Sequence, residues 1–553
     1  MRDQEFITQN LPEMKKMAKK KFLSALALCI YGLTGFSQTP KVNILWGAEF
    51  EVPKKHESVG FVGNPKDGYT EISTRYNEDL ILQKIEPGLQ SNTQEKIDLT
   101  DMPPGYMNDG FYNLKGNEYW FFSTWEKKEE KEILHYQKLN LKSGKFEGER
   151  KTIIESDRKL AGNLVATGFY QFNVANKYPV FISCDSSKIL IKYRLKPEER
   201  KDELNYDMIG LNVFDYNMNK IWGRVVRMPY TEARMNNLDY QIDKNGTVYI
   251  LTQVYEGLSN KEQVNDKPNY HFEILKYDKE KTDATIIPFK LENVFCQSPT
   301  IKDDKNGNLL CSGYYKKVYN GGTDGVFLLK LESGADKLTK LQKGYYEFSD
   351  DVLKQFLSER AQKRLDRKIE KGKELSAGNL EFRQYHINPD GSITVIGEVS
   401  YIITTTHYDG KRTYTTTSYY YEDIMVMSID ASGNMNWCRK IPKRQVGNNG
   451  RGGMSFKYLP KDNATYLFFL DNNKNAKLPT NKEPKVHVDG RTGMMVCVKI
   501  DSKGNVERSD NLFDQKVLKK YCYVADFDIV APGQMINRAF RKTMNTPVLF
   551  TVE

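Results

Sequence analysis

A strand, a tight turn and a second strand recur along this chain, and the clearest copy, residues 424–442 (IMVMSIDASGNMNWCRKIP), constrains its fold most. Apolar residues alternate up to Asp430, Ala431-Ser432-Gly433 supplies the turn, and the second strand carries Trp437 and runs into Pro442. Strands with the same acidic or amide terminus end at Glu86, Asn140, Asp215, Asp278, Glu332, Asp430, Asp501 and Glu553, which makes eight. A second marker precedes several of them: a tight Asn-Gly or Asp-Gly turn followed by an alternating strand, as in IDKNGTVYIL from Ile242, DDKNGNLLCS from Asp303 and INPDGSITVI from Ile387. One repeat is therefore four antiparallel strands. With 34 Tyr and 27 Phe among 553 residues, the composition also favours strands.

The two ends of the chain complete the pattern. Trp46 begins a strand resembling those of Trp222 and Trp437 but has no partner before it, while the last strand, Val548 to Glu553, has no Trp strand after it. Pairing the segment of Trp46 with that of Leu549 and Phe550 closes a ring and removes two exposed sheet edges. The expected fold class is all-β, a β-propeller of eight four-stranded blades, or seven if residues 57–99 do not form a full blade. A tandem of β-sandwiches leaves the matched orphan strands unexplained, and an outer-membrane barrel needs a more apolar sequence.

Lys15, Lys16, Lys19, Lys20 and Lys21 precede an apolar run from Phe22 to Leu33 and the small residues Gly35 and Ser37. That order reads as a secretory leader over residues 1–37, cleaved before Gln38, with residues 38–553 as a single propeller domain. Acylation at Cys29 is the alternative, disfavoured by the bulky Leu28 before it. Export places the protein in the periplasm, at the outer-membrane periphery or outside the cell. The formal charge of +10 falls to about +7 without the leader, which carries six bases and three acids, and that excess is too mild for nucleic-acid binding. No later stretch is long and apolar enough for a transmembrane span, and a monomer is expected. The remaining cysteines are scattered singly, and only Cys296 and Cys311 lie close enough in sequence to suggest a disulfide.

Surplus length gathers at one end of the blades: residues 195–206, 255–270, 349–375, 401–421 and 471–493 all fall after second or fourth strands. Residues 349–375 read as one helical insertion, capped by Ser349, ended by Gly372, and striped by Leu353, Phe356, Leu357, Ala361 and Leu365. Residues 401–421 read as a long Thr and Tyr ribbon turning at Asp409-Gly410. It presents His407, Tyr408, Lys411 and Arg412 as candidate binding residues. Lys443, Arg444 and Arg451 belong to a Gly-rich, acid-free loop that could present amides and cations to an anion. His487 falls in another long loop. The six histidines have no metal-ligand spacing, and Asp471-Asn-Asn-Lys-Asn475 is a poor calcium loop because a lysine interrupts it. No metal or cofactor is expected.

The run Asp430-x-x-Gly433-x-x-x-Trp437, echoed by Asp215 to Trp222, resembles the blade signature of quinoprotein-type eight-bladed propellers, although its Asp-to-Trp spacing is one residue shorter. That group includes quinone-cofactor dehydrogenases and a non-enzymatic lipoprotein of the outer-membrane assembly machinery. The dehydrogenases' adjacent cysteine pair has no counterpart here, so the resemblance does not imply their cofactor. The helical insertion, the ribbon and IPKRQV (residues 441–446) together are similar to a family of uncharacterised exported proteins of Bacteroidota-type envelopes, which implies compartment and fold but no activity. The expectation is a non-enzymatic binding or scaffolding propeller that contacts an envelope protein or a glycan through its loop-rich face. The alternative is a carbohydrate-active hydrolase or lyase using His407 or His487 near the channel mouth.

Overall fold

The computed structural model describes residues 39–75, 79–99, 102, 106–168, 171–201, 203–257, 260–408, 410–448, 453–488, 490 and 492–553. The leader expected over residues 1–37, with Cys29, and also Asp409 and Arg451 lie outside them. Eight antiparallel sheets with a four-stranded core follow one another along the chain. Blades 1 to 5 occupy residues 57–98, 107–156, 180–231, 235–289 and 295–347. Blade 6 is built from Leu380–Ile387, Ile393–Tyr408, Thr413–Ile429 and Met435–Ile441, and blade 7 from residues 457–514. Blade 8 takes Asp528–Ala531, Gln534–Arg541 and Met544–Val552 from the end of the chain and Val42–Trp46 from its beginning. All eight strands with acidic or amide termini are third strands of blades, and residues 57–98 form a complete first blade.

The closing pair is antiparallel, with Val42 opposite Val552, Ile44 opposite Phe550, Leu45 opposite Leu549 and Trp46 opposite Val548. Trp46 also meets Phe513 of blade 7 edge-on at 5.5 Å. Hydrophobic side chains collect between neighbouring blades rather than at one centre. Ile72, Leu82, Trp120 and Phe122 join blades 1 and 2, for example, and Phe468, Met495, Met535 and Phe550 join blades 7 and 8. The joint between blades 8 and 1 holds Phe61, Tyr69, Ile85, Ile536 and Leu549. Burying such side chains stabilises each joint by about 1.5 to 3 kcal/mol per residue, so the ring is held as a cycle of similar contacts.

One end of the ring is defined by a repeated turn. At Asp215, Asp243, Asp304, Asp430 and Asp501 the carboxylate Oδ1 accepts the amide of the residue four positions on, at 2.8–2.9 Å. The fourth turn residue must have positive φ, and it is Gly246, Gly307, Gly433 and Gly504 in four of the five and Met218, at φ 66°, in the other. Tryptophans lock these turns across joints: Trp222 Nε1 donates to the Gly246 carbonyl at 2.9 Å, and Trp437 Nε1 to that of Ser502 at 3.1 Å.

The insertion after blade 5 differs from the single helix expected. Asp350–Lys354 and Glu359–Glu370 are separate helices, capped by Ser349 and Ser358. Phe356 between them has φ 58°, and its amide donates to Thr480 O in the long loop of blade 7 at 2.6 Å. That tertiary bond takes the place of the helical one and breaks the helix. Cys296 and Cys311 are both free, as are the other four described cysteines. No helix among the described residues is long and apolar enough to cross a membrane.

The turns carry a testable consequence. At Gly433, φ is 90° and an added Cβ would lie 2.8 Å from Leu341 Cβ in blade 5. Gly433→Ala should destabilise the protein by about 3 kcal/mol in urea unfolding, since left-handed strain adds to overpacking.

Candidate functional site

The turns after first and third strands form the plain end of the ring, so the connections after second and fourth strands share the opposite end. That end carries the ribbon, the two helices and the long loop of blade 7. It also carries a hairpin between blades 2 and 3, Asn163–Gly168 with Gln171–Ala175, which the sequence pattern did not single out.

The ribbon is the continuation of the two middle strands of blade 6 beyond the ring. Its register runs from Ser400 opposite Tyr421 to Tyr408 opposite Thr413. At roughly 3.3 Å per residue it projects about 26 Å. Consecutive Thr404, Thr405 and Thr406 face Thr417, Thr416 and Thr415, and β-branching keeps this narrow ribbon extended. His407 stacks on Tyr414 at 5.0 Å, and Tyr401 on Tyr420 at 4.6 Å. Large apolar and aromatic surfaces stay in solvent: Ile402 is 62% exposed and Tyr408 73%. Among the described residues, only Tyr419–Tyr421 on the outer edge gain a third strand, Gln445–Gly447. Above that root, no other strand among the described residues pairs with either ribbon edge. At the root, a groove of about 370 Å³ is lined by Tyr401, Tyr419, Tyr420 and Tyr421 together with Glu381 and Arg383.

His407, Tyr408, Lys411 and Arg412 are thus gathered at the ribbon tip, while Lys443, Arg444 and His487 lie at its root and are engaged in structural contacts. Lys443, expected in an open anion-binding loop, is fully buried. Its ammonium pairs with the equally buried Glu398 at 2.8 Å and donates to Tyr421 O at 2.9 Å and Gln445 Oε1 at 3.2 Å. Burial pulls this ammonium below its usual pKa, and Glu398 opposes that shift. Glu398 also accepts from Arg383 Nε at 2.8 Å and from Ser455 Oγ, at the entry to blade 7, at 2.7 Å. Arg444 is partly exposed and lies within ion-pairing distance of Glu422 and Glu483. His487, expected on an exposed loop, is 3% exposed. It sits opposite Gln445 in a parallel pair, and its amide donates to Arg444 O at 2.9 Å. Asp471, the head of the weak calcium motif, is bound instead to Arg508 and Asn475.

Similar polar knots lie under the loops of other blades. Glu132 pairs with Lys177 at 2.7 Å between blades 2 and 3, and Arg194 holds Asp207 and Glu232 in blade 3. Arg538 of blade 8 reaches Glu71 of blade 1 at 3.5 Å, and Asn545 donates to the same carboxylate at 3.0 Å. Asp109, on the innermost strand of blade 2, is pushed up to about 7 by burial. In the channel wall, burial drives His386 down to about 4. Of these, the Glu132–Lys177 and Glu71–Arg538 pairs join neighbouring blades.

Comparison with known proteins adds the following. No protein-family model matches the chain, and no curated protein matches it. Solved structures with a similar path include the β-propeller domain of the Trilobed protease from Pyrococcus furiosus, at 10% identity and TM-score 0.33, covering 83% of this chain and 100% of that domain. An acylaminoacyl peptidase from Pyrococcus horikoshii matches at 10% identity and TM-score 0.33, covering 88% of this chain and 58% of the peptidase, so the chain spans little more than half its length. The WD40 domain of SCAP from fission yeast matches at 9% identity and TM-score 0.32, covering 91% and 98%. At such values none of them bears on what this chain does.

The buried pair under the ribbon can be tested directly. Lys443→Met should cost about 3 kcal/mol in unfolding free energy, because it removes one of the two cations on the buried Glu398 carboxylate and leaves Arg383 as the other. The double variant Lys443→Met with Glu398→Gln should recover at least half of that loss.

Proposed function

We propose that this protein is an exported envelope propeller that binds a protein or glycan partner through the end bearing the ribbon, without catalysing a reaction. The observation that carries the reading is the ribbon itself. It stands about 26 Å clear of the ring, with both edges open and with tyrosine and isoleucine side chains in water. An isolated two-stranded ribbon is marginal in water, and exposed apolar surface with unpaired edges is costly to keep unless something covers it. The groove at its root extends the contact surface with aromatic faces and a charged pair. The leader-like sequence supports export, and the mild positive charge of the mature chain does not suit nucleic acid.

The geometry gives the hydrolase or lyase alternative little to build on. His487 is enclosed in a sheet, and His407 is stacked on Tyr414 near the far end of the ribbon, away from the buried acids at its root.

The reading is tested by removing residues 404–417 and leaving the ring intact. Tagged full-length protein should recover a specific partner from envelope extracts, and the purified partner should bind it again in isolation. The shortened protein should bind that partner at least about tenfold more weakly, with its thermal midpoint moved by less than about 2 °C. Equal binding by both proteins would remove the ribbon from the reading.

A further inference from the structure

The joint between blades 8 and 1 carries a feature unrelated to the ribbon. A cleft of about 540 Å³ opens on the loop-rich end, between the segment that leads from the closing strand into blade 1 and the hairpin tip of blade 8. Lys54 and Lys55 stand on the first wall and Lys542 on the second, with Arg538 between them. Glu57 is the one carboxylate lining the cleft.

Several buried or partly buried cations elsewhere on this end are neutralised: Lys177 by Glu132, Arg194 by Asp207 and Glu232, Lys317 by Glu347 and Glu374, Lys443 by Glu398, and Arg508 by Asp471. Lys54, Lys55 and Lys542 are exposed, and none of the three has an ion-pair partner among the described residues. Arg538 has its terminal nitrogens on Glu71 and Asp526, yet its Nε is enclosed without a hydrogen bond. The cleft therefore concentrates positive charge that the protein balances at its other joints.

The walls are fixed before any ligand arrives. The Val52 amide donates to Thr543 O at 2.8 Å and ties the two together. His56, two residues beyond Lys54, is held by the Asp79 carboxylate at 2.8 Å and by Pro53 O at 3.2 Å, and Lys96 also pairs with Asp79. Both Lys55, at φ 69°, and Lys542, at φ 56°, adopt the left-handed backbone that glycine would take at lower cost. A lysine placed in that conformation on each of two facing walls keeps its charge at the expense of local strain, as binding sites commonly do.

We propose that this cleft binds a multiply charged oxyanion, a phosphate-bearing group such as pyrophosphate or a phosphate ester, held between Lys54 and Lys55 on one side and Lys542 on the other. A ligand in that position bridges the two ends of the chain and reinforces the closure of the ring. The cleft exceeds the volume of one phosphate, so the anion can be part of a larger molecule, either free in solution or displayed as a lipid headgroup.

The test titrates full-length protein with pyrophosphate by calorimetry at constant ionic strength, and in parallel with vesicles containing phosphatidic acid, whose phosphate monoester can carry two charges. The variant Lys55→Gly with Lys542→Gly removes both charges and suits the local backbone, so it should melt at or above the wild-type temperature without ligand. Wild type should bind saturably and melt higher with the ligand present. The variant should bind at least on the order of tenfold more weakly and lose that rise. Binding to pyrophosphate identifies a free anion as the source, and binding to vesicles alone identifies a headgroup; either supports the proposal. Absence of saturable binding to both probes, variant affinity equal to wild type, or an equal effect of sodium chloride at matched ionic strength would overturn it.

Discussion

The pairing of Val42–Trp46 with Met544–Val552 is the contact on which the rest of the structure depends. A blade on its own leaves one face of its sheet exposed on each side, and each face is covered only by the next blade round. The apolar clusters follow that logic, one between each pair of neighbours, with the cluster of Phe61, Ile85 and Leu549 completing the circuit. If the first strand were free, the outer edge of blade 8 would be unpaired and the circuit would open at the joint where Glu71 and Arg538 face each other.

Closure also divides the molecule into two unlike ends. At one end, turns headed by aspartate are short and nearly identical, and their carboxylates accept from amides two and four residues on. The backbone amide and side chain of Asn434, with the amides of Ser432 and Gly433, hold the Asp430 carboxyl below its usual value. Such turns have little capacity left for anything else. At the other end the chain is free to wander between strands, and the charged groups there are joined across longer separations in sequence. Those joints form a rigid floor, and on it stand the ribbon and the cleft at the closure.

The parts legible in the sequence were those encoded locally. Period-two alternation ending in an acid or amide marked all eight third strands, because a strand and its turn need only neighbouring residues to define them. The half-units at Trp46 and Phe550 announced the closure for the same reason. What escaped was set by partners distant in sequence. Residues 440–453 contain bases and no acid, so Lys443 looked available. Its carboxylate is Glu398, on a strand that reaches it only after the ribbon has doubled back. A lone glutamate inside the apolar run ITVIGEVSYII was the one available sign that a buried cation was needed. His487 was hidden by a parallel pairing with Gln445, a register no local pattern encodes. The break at Phe356 cut an unbroken apolar stripe, but Ser358 followed by Glu359 is itself a helix start that could have been read. Where the ribbon is concerned, its extent was legible because alternating Thr and Tyr around Asp409-Gly410 define it locally.

Hydrogen exchange on the closing strands measures the central claim most directly. The chain from Gln38 onward should be compared with one that begins at Ala48 and so lacks Val42–Trp46. Closure requires that amides on the freed edge of Met544–Val552 lose protection in the shortened chain, and that the loss spread to Glu57–Asn64 across the joint with blade 1 while blades 3 to 5 keep theirs. Unchanged protection in Met544–Val552 would contradict the account, because that strand would then be held by something other than the beginning of the chain.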